Sequence, residues 1–410
     1  MTQLSKDLTD VASRVPFSWE DRLPWLELDF PVSEFEDRLR RIQRKLADDG
    51  LDALIVYGGT GSESNVRYVS GFASFWGDNL VLVPGSGAPI LITNAIFHGE
   101  PMHSNIQTTW LEDVRPLLNP HSTSNPLSLV DLAAAALKDW GVVSGRIGIA
   151  DSRDVPARID HELRKKVAGA ELIDASAALR RLRSIKSTAE IEMMRRLGAA
   201  TSAGMNAGLA AVRPGVTESQ IAAAVHAACI EAGVERMIPA GCFAIAGQRS
   251  FMKNVWPKPD KKVEPDELVV VDIGARLGGY QSDMSRNIVA GEPSEEVRRL
   301  LEACLEAEEV GLRETKPGVT VSSVLNAMKG VIAEHGFADW DWTTGHGAGM
   351  DILEEPFFGP DSEVLFEPGM TFYIEPMIVP THVGTICIED IVLVTETGCE
   401  ELTTSEKRTW

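Results

Sequence analysis

Cations, cysteines and long apolar runs are all scarce in this chain. Lysine and arginine number 39 against 60 aspartates and glutamates, giving a formal net charge of −21 and a sequence pI of about 4.8. So acidic a surface repels phosphate backbones and anionic headgroups, which argues against nucleic acid or an anionic membrane as partner. The five cysteines (229, 242, 304, 387, 399) are odd in number, irregularly spaced and without a C-x-x-C pair. That excludes a disulfide framework and fits a reducing compartment. No run approaches a membrane span, and the first residues lack the basic segment and apolar core of a secretory leader, so a cytoplasmic location is expected. What remains is 410 residues with 44% hydrophobic content, enough for large cores and two domains.

The most informative stretch is 267–289, an apolar run, a glycine turn and a second run that alternates in polarity. Closure at Gly278-Gly279 predicts an antiparallel hairpin that sets Asp272 and Asp283 side by side on one face. Two close carboxylates repel, so either a shared proton or cations must neutralise them. Three residues downstream favour cations. His346 lies in Thr-Gly-His-Gly-Ala-Gly, where glycines let the backbone pass close to an ion. Glu375 ends a β run before Pro376, and Glu389 sits inside Thr-Ile-Cys-Ile-Glu-Asp-Ile-Val, where a lone charge would be costly. Four carboxylates and one imidazole form a hard set for two divalent ions, manganese first, with cobalt, zinc or iron as alternatives.

Residues 1–30 mix Phe17, Trp19, Trp25 and Leu26 with charges and read as an arm packed on the body or on a partner subunit. From residue 31, a capping box of Ser33 and Glu36 is expected to start a helix carrying Phe35, Leu39, Ile42 and Leu46 and closed by Gly50. A strand at 54–57, a hairpin of 80–83 with 90–92, a helix near 127–140 and a strand at 147–150 complete an α/β domain ending near residue 175. The second domain, 176–410, opens with a capping box of Ser187 and Glu190 and contains an internal repeat. Pro-Gly-Val-Thr occurs at 214 and 317 and each following helix stops at a glycine, 233 and 336; both pairs are 103 residues apart. Two similar halves are predicted, Asp272 and Asp283 in the first, the other three ligands in the second.

The ordered set Asp272, Asp283, His346, Glu375 and Glu389, in the strings Val-Asp-Ile-Gly, Gly-Tyr-Gln-Ser-Asp-Met-Ser-Arg, Gly-His-Gly-Ala-Gly, Glu-Pro-Gly-Met and Ile-Glu-Asp, resembles the Xaa-Pro aminopeptidase, prolidase and creatinase family over roughly residues 31–402. The resemblance implies a creatinase-like α/β domain followed by a pita-bread domain with a pseudo-twofold repeat. It also implies a homodimer. In the ligand roles it suggests, Asp272 binds one ion, His346 and Glu375 the other, and Asp283 and Glu389 bridge. Glu375 would take the proton of a bridging water, leaving a nucleophile for a C–N bond. Asn65 to Phe72 resembles the family's N-terminal motif, and Phe75 and Trp76 after it are expected to touch substrate.

Three departures alter the expected substrate. The peptidases carry a histidine where this chain has Asn254, another where it has Leu353, and an arginine where Cys387 stands. His382, Arg249, Lys253 and Asn254 are the candidates to replace them, with Leu353 and Cys387 lining a changed pocket. The expectation is therefore a metal-dependent hydrolase of a small amide or short peptide, not an ordinary Xaa-Pro dipeptidase. A lyase on the same scaffold and a non-catalytic binding protein are the alternatives.

Overall fold

The computed structural model describes residues 19–59, 61–74, 77–93, 96–97, 100–101, 106–116, 128–251 and 255–410. Contacts divide the chain into two units, Met1–Leu182 and Arg183–Trp410. This division lies seven residues beyond the expected end of the first domain, within the helix Ser176–Ser184.

In the first unit, six strands form a mixed sheet: β1 (Ala53–Gly58), β2 (Asn79–Pro84), β3 (Ile90–Thr93), β4 (Asp113–Pro116), β5 (Arg146–Ala150) and β6 (Glu171–Asp174), in the order β4-β3-β2-β1-β5-β6. Side-chain alternation sends Ala53, Ile55, Leu80 and Leu82 against helices Leu129–Asp139 and Ala157–Lys166. The alternate set, Leu54, Val56, Val81 and Val83, is equally buried and faces the other way. Both faces being covered explains why these runs are almost wholly apolar.

Helix Val32–Asp49 is closed by Gly50 in the left-handed region at φ 65°, as its sequence predicts. Its start differs from expectation: Pro31 is the N-cap and no side chain caps it, because Ser33 already lies within the first turn. The Pro31 carbonyl accepts from Glu34 N instead. Arg38, fully buried, lies over the rings of Phe30 and Tyr68 at 4.6 Å each and donates to Glu34 Oε1 at 2.8 Å. Tyr68 belongs to the Asn65–Phe72 motif, whose residues are all buried, so they serve as interior packing of this unit. The described part of the arm packs on the same unit through buried Arg22, which donates to Ile106 O at 3.2 Å and Leu111 O at 2.6 Å. Phe75 and Trp76 lie outside the described residues.

The second unit is built twice. Helices Thr188–Ala211 and Glu218–Glu231 precede a three-stranded sheet in which Leu268–Leu277 pairs with both Arg236–Ala246 and Tyr280–Val289. Helices Glu295–Glu314 and Val321–Glu334 precede a five-stranded sheet ordered Glu354–Phe357, Thr344–Gly347, Thr371–Glu375, Asp390–Val394, Cys399–Glu401. The Ser187–Glu190 capping box is present. The repeat extends to single hydrogen bonds: Gly215 N donates to Val263 O at 2.8 Å and Gly318 N to Phe366 O at 2.9 Å, while Thr217 bridges Lys262 and Thr320 bridges Leu365. Each residue named is 103 positions from its counterpart, and so is Asp272 from Glu375.

An antiparallel bridge, Ser285 with Glu389, joins the sheets of the two halves. Ser285 stands opposite Asp272. Continuing the Ile374–Asp390 pairing by one residue puts Glu389 opposite Glu375. The bridge therefore links equivalent positions and marks the pseudo-twofold axis.

Candidate metal centre

The expected ligands gather around that axis. Asp272 and Asp283 lie on one face of the hairpin closed by Gly278 and Gly279, both with positive φ (58° and 84°). Their register is diagonal: Asp272 pairs with Ser285 and Asp283 with Gly274. The two carboxylates thus lie side by side on that face, as expected, along a diagonal of the ladder that keeps them further apart than a directly opposed pair and eases their repulsion.

Asp283, His346 and Glu389 each offer a ligand atom, all within 4.8 Å of one another, and Glu375, Cys387 and Glu389 form a second such trio. Glu389 belongs to both, as expected of a residue on the axis. Asp272 stands in neither trio but is buried, on the same hairpin face as Asp283. His346 and Glu375 are also buried, and Glu389 is 1% exposed.

The backbone orients the His346 ring. Its Nδ1 lies 3.2 Å from Gly347 O; a carbonyl can only accept, so Nδ1 is the donor of that contact. Nε2 is 4.0 Å from Glu389 Oε1. The ring packs on Tyr373 at 4.7 Å, and the Tyr373 hydroxyl donates to Gln281 O at 2.9 Å. Burial holds the Tyr373 phenol well above its ordinary value, with Asp283 and Glu389 adding to the effect. It therefore stays a neutral orienting group. At Gly347 a Cβ would lie 2.2 Å from Glu355 O, so only glycine lets the neighbouring strand approach here.

Among the other candidates, Arg249 is held by a structural partner. Its guanidinium donates to both carboxylate oxygens of the fully buried Glu218, at 3.2 and 3.0 Å, and to Trp256 O. Leaving a charge as buried as Glu218 without such a partner would be costly. His382 is half-exposed, 2.8 Å from Glu296 and edge-on to Trp340, and joins neither donor trio. Leu353 is 57% exposed. Cys387, expected to line the substrate pocket, is wholly buried with its thiol 3.8 Å from Glu375 Oε1. Lys253 and Asn254 lie outside the described residues.

Two supports were missed in the sequence. Tyr373 sits in an apolar strand with nothing local to single it out. Buried Arg286 donates to both oxygens of Asp390, at 2.7 and 2.9 Å, and to Glu389 O at 3.0 Å, which clamps the backbone of that residue. The charge of Asp390 at the head of an apolar strand was the available signal.

Comparison with known proteins agrees with this geometry. Residues 192–396 match metallopeptidase family M24, and residues 38–185 match the creatinase/prolidase N-terminal domain. The chain belongs to metallopeptidase family M24. It is a metal-dependent hydrolase of that family, with a creatinase-like first domain and a pita-bread second domain. A Xaa-Pro dipeptidase of Pyrococcus horikoshii is 27% identical over 373 residues, 90% of this chain and 98% of the relative. Among solved structures, the prolidase of Pyrococcus horikoshii OT3 matches with a TM-score of 0.78 at 25% identity, covering 91% of this chain and 100% of that one. Dipeptidase PepE of Mycobacterium ulcerans matches with a TM-score of 0.77 at 27% identity over 92% and 97%. No helix among the described residues is long and apolar enough to cross a membrane.

Proposed function

We propose that the chain is a dinuclear divalent-metal hydrolase that cleaves an amide-type C–N bond in a small molecule or short peptide other than an ordinary Xaa-Pro dipeptide. The observation that carries this reading is the convergence of carboxylates and one imidazole from both halves, with buried Cys387 among them, while Leu353 is exposed. At those two positions the family resemblance leads one to expect a histidine and an arginine. Asp272, Asp283, His346, Glu375 and Glu389 would hold the ions, and so oxygen-rich a set favours manganese.

When bound, such a pair of ions supplies Lewis acidity and a water that loses a proton near neutral pH. Glu375, buried at the end of its strand, accepts that proton and returns it to the leaving nitrogen. His346, oriented through Gly347 O and backed by Tyr373, keeps its donor atom aimed at the centre. Leu353 offers the substrate an apolar contact in place of a hydrogen bond, which suits a group smaller or less polar than a prolyl peptide. The acidic chain, whose five cysteines form no disulfide, suits the cytoplasm, and the homodimer is the proposed working form.

The test is turnover of small amides and Xaa-Pro dipeptides after manganese loading, in water labelled with heavy oxygen. Amide cleavage with one labelled oxygen in the acid product is expected, and dipeptides should be poor substrates. Strong prolyl cleavage would overturn the substrate class; product without label would overturn hydrolysis.

A further inference from the structure

We infer that Cys387 is itself a metal ligand, so that the two positions of the centre differ in chemistry: one softened by sulfur, the other built from oxygen. This rests on the reading of a metal centre, though not on its substrate.

The backbone aims the thiol. Cys387 pairs with Met377 in the two-residue ladder just after Glu375, and its N–H donates to Asn287 Oδ1 at 2.6 Å. Asn287 Nδ2 in turn donates to Thr385 O at 2.9 Å, so the segment is pinned on both sides. Cys387 and Glu389 are two residues apart in extended chain and share a face, while Ile388 between them enters the apolar core. Sγ thereby comes 3.8 Å from Glu375 Oε1, and the donor atoms of Glu375, Cys387 and Glu389 all lie within 4.8 Å of one another.

That spacing can be judged. Donors sharing one ion, at about 2.3 Å for sulfur and about 2.1 Å for oxygen, stand roughly 3.1 to 4.4 Å apart as the angle opens from right to straight. The 3.8 Å separation falls inside this range. As Sγ joins the ion its proton leaves to solvent. A thiolate beside carboxylates selects zinc, cobalt or iron over manganese, leaving manganese to the position held by Asp272 and Asp283.

The metal-free full-length protein titrated with cobalt tests this. The expected result is visible cobalt bands together with a near-ultraviolet thiolate-to-cobalt charge-transfer band. That band should vanish in Cys387→Ser and Cys387→Ala while the visible bands remain. Both variants keep the other four cysteines, so the loss assigns the band. Zinc affinity, measured by chelator competition, should fall about tenfold in Cys387→Ser, with manganese affinity unchanged. Visible bands without charge transfer in the wild type, or charge transfer surviving in Cys387→Ser, would overturn the role of Cys387 alone. Absence of any cobalt uptake would overturn it together with the metal centre.

Discussion

Glu389 and Asp390 are neighbours in sequence and opposites in surroundings. Alternation along the strand sends their side chains to opposite faces. On the Asp390 face, Glu308, Asp390 and Glu401 approach one another as closely as metal ligands do. There the fold supplies its own cations: Arg286 chelates Asp390, and Lys407 Nζ lies 2.6 Å from Glu308 and 3.6 Å from Asp390. Burial pushes the Glu308 carboxyl well above the usual range, with Asp390 adding to it. Burial pushes Asp390 the same way, but Arg286 and Lys407 prevail and hold it low. The two carboxyls are thus pushed in opposite directions, Glu308 up and Asp390 down. On the Glu389 face the converging groups are acids, an imidazole and a thiol. Proximity of acids alone does not make a metal site, because on the Asp390 face the fold settles such acids with its own cations.

Removing a ligand and removing a protein cation should therefore fail in different ways. The largest effect is expected for Asp283→Ala, which should lower metal-dependent turnover by more than about a hundredfold, since even outer groups at metal sites matter by ten- to a hundredfold. Its urea midpoint in the metal-free state should match that of the wild type. Retained turnover would remove Asp283 from the centre.

Next is Arg286→Met, which strands the buried Asp390 and should cost about 3 to 5 kcal/mol of unfolding free energy. Adding Asp390→Leu should restore most of that, because a paired apolar replacement removes the desolvated charge as well. A double variant no more stable than the single would refute the account of this face.

Chelation comes third. Stripping divalent ions should lower stability by about 2.7 kcal/mol for a protein previously held at a hundredfold excess over Kd. The Arg286→Met penalty should persist in chelator. Smallest is His382→Ala, expected to change stability by less than about 1 kcal/mol, since the side chain is half-exposed and its ion-pair partner is an exposed glutamate. Its turnover should be unchanged.

Which features could be read from the chain follows from how local each is. The hairpin turn, the Gly50 stop and the Ser187 cap are written within a few consecutive residues. The repeat was legible because identical Pro-Gly-Val-Thr strings open both halves, and each metal ligand stood out as a charge beside glycines or inside an apolar run. The diagonal register of Asp272 and Asp283 follows from that hairpin turn, because closure at Gly278-Gly279 sets Asp272 opposite Ser285. The Arg249 pairing with Glu218, 31 residues away, and the Arg286 pairing with Asp390, 104 residues away, were not legible; only the folded chain brings them together. Ser33 matched a capping pattern, but the proline before it had already begun the helix.

The central claim is that both halves combine to hold two ions. Its most direct measurement is metal content per chain by mass spectrometry after dialysis against manganese and zinc, for the wild type and Asp283→Ala. About two ions per wild-type chain, falling below one in the variant, is the predicted result; a wild-type chain that retains none, or a variant that retains two, would contradict it.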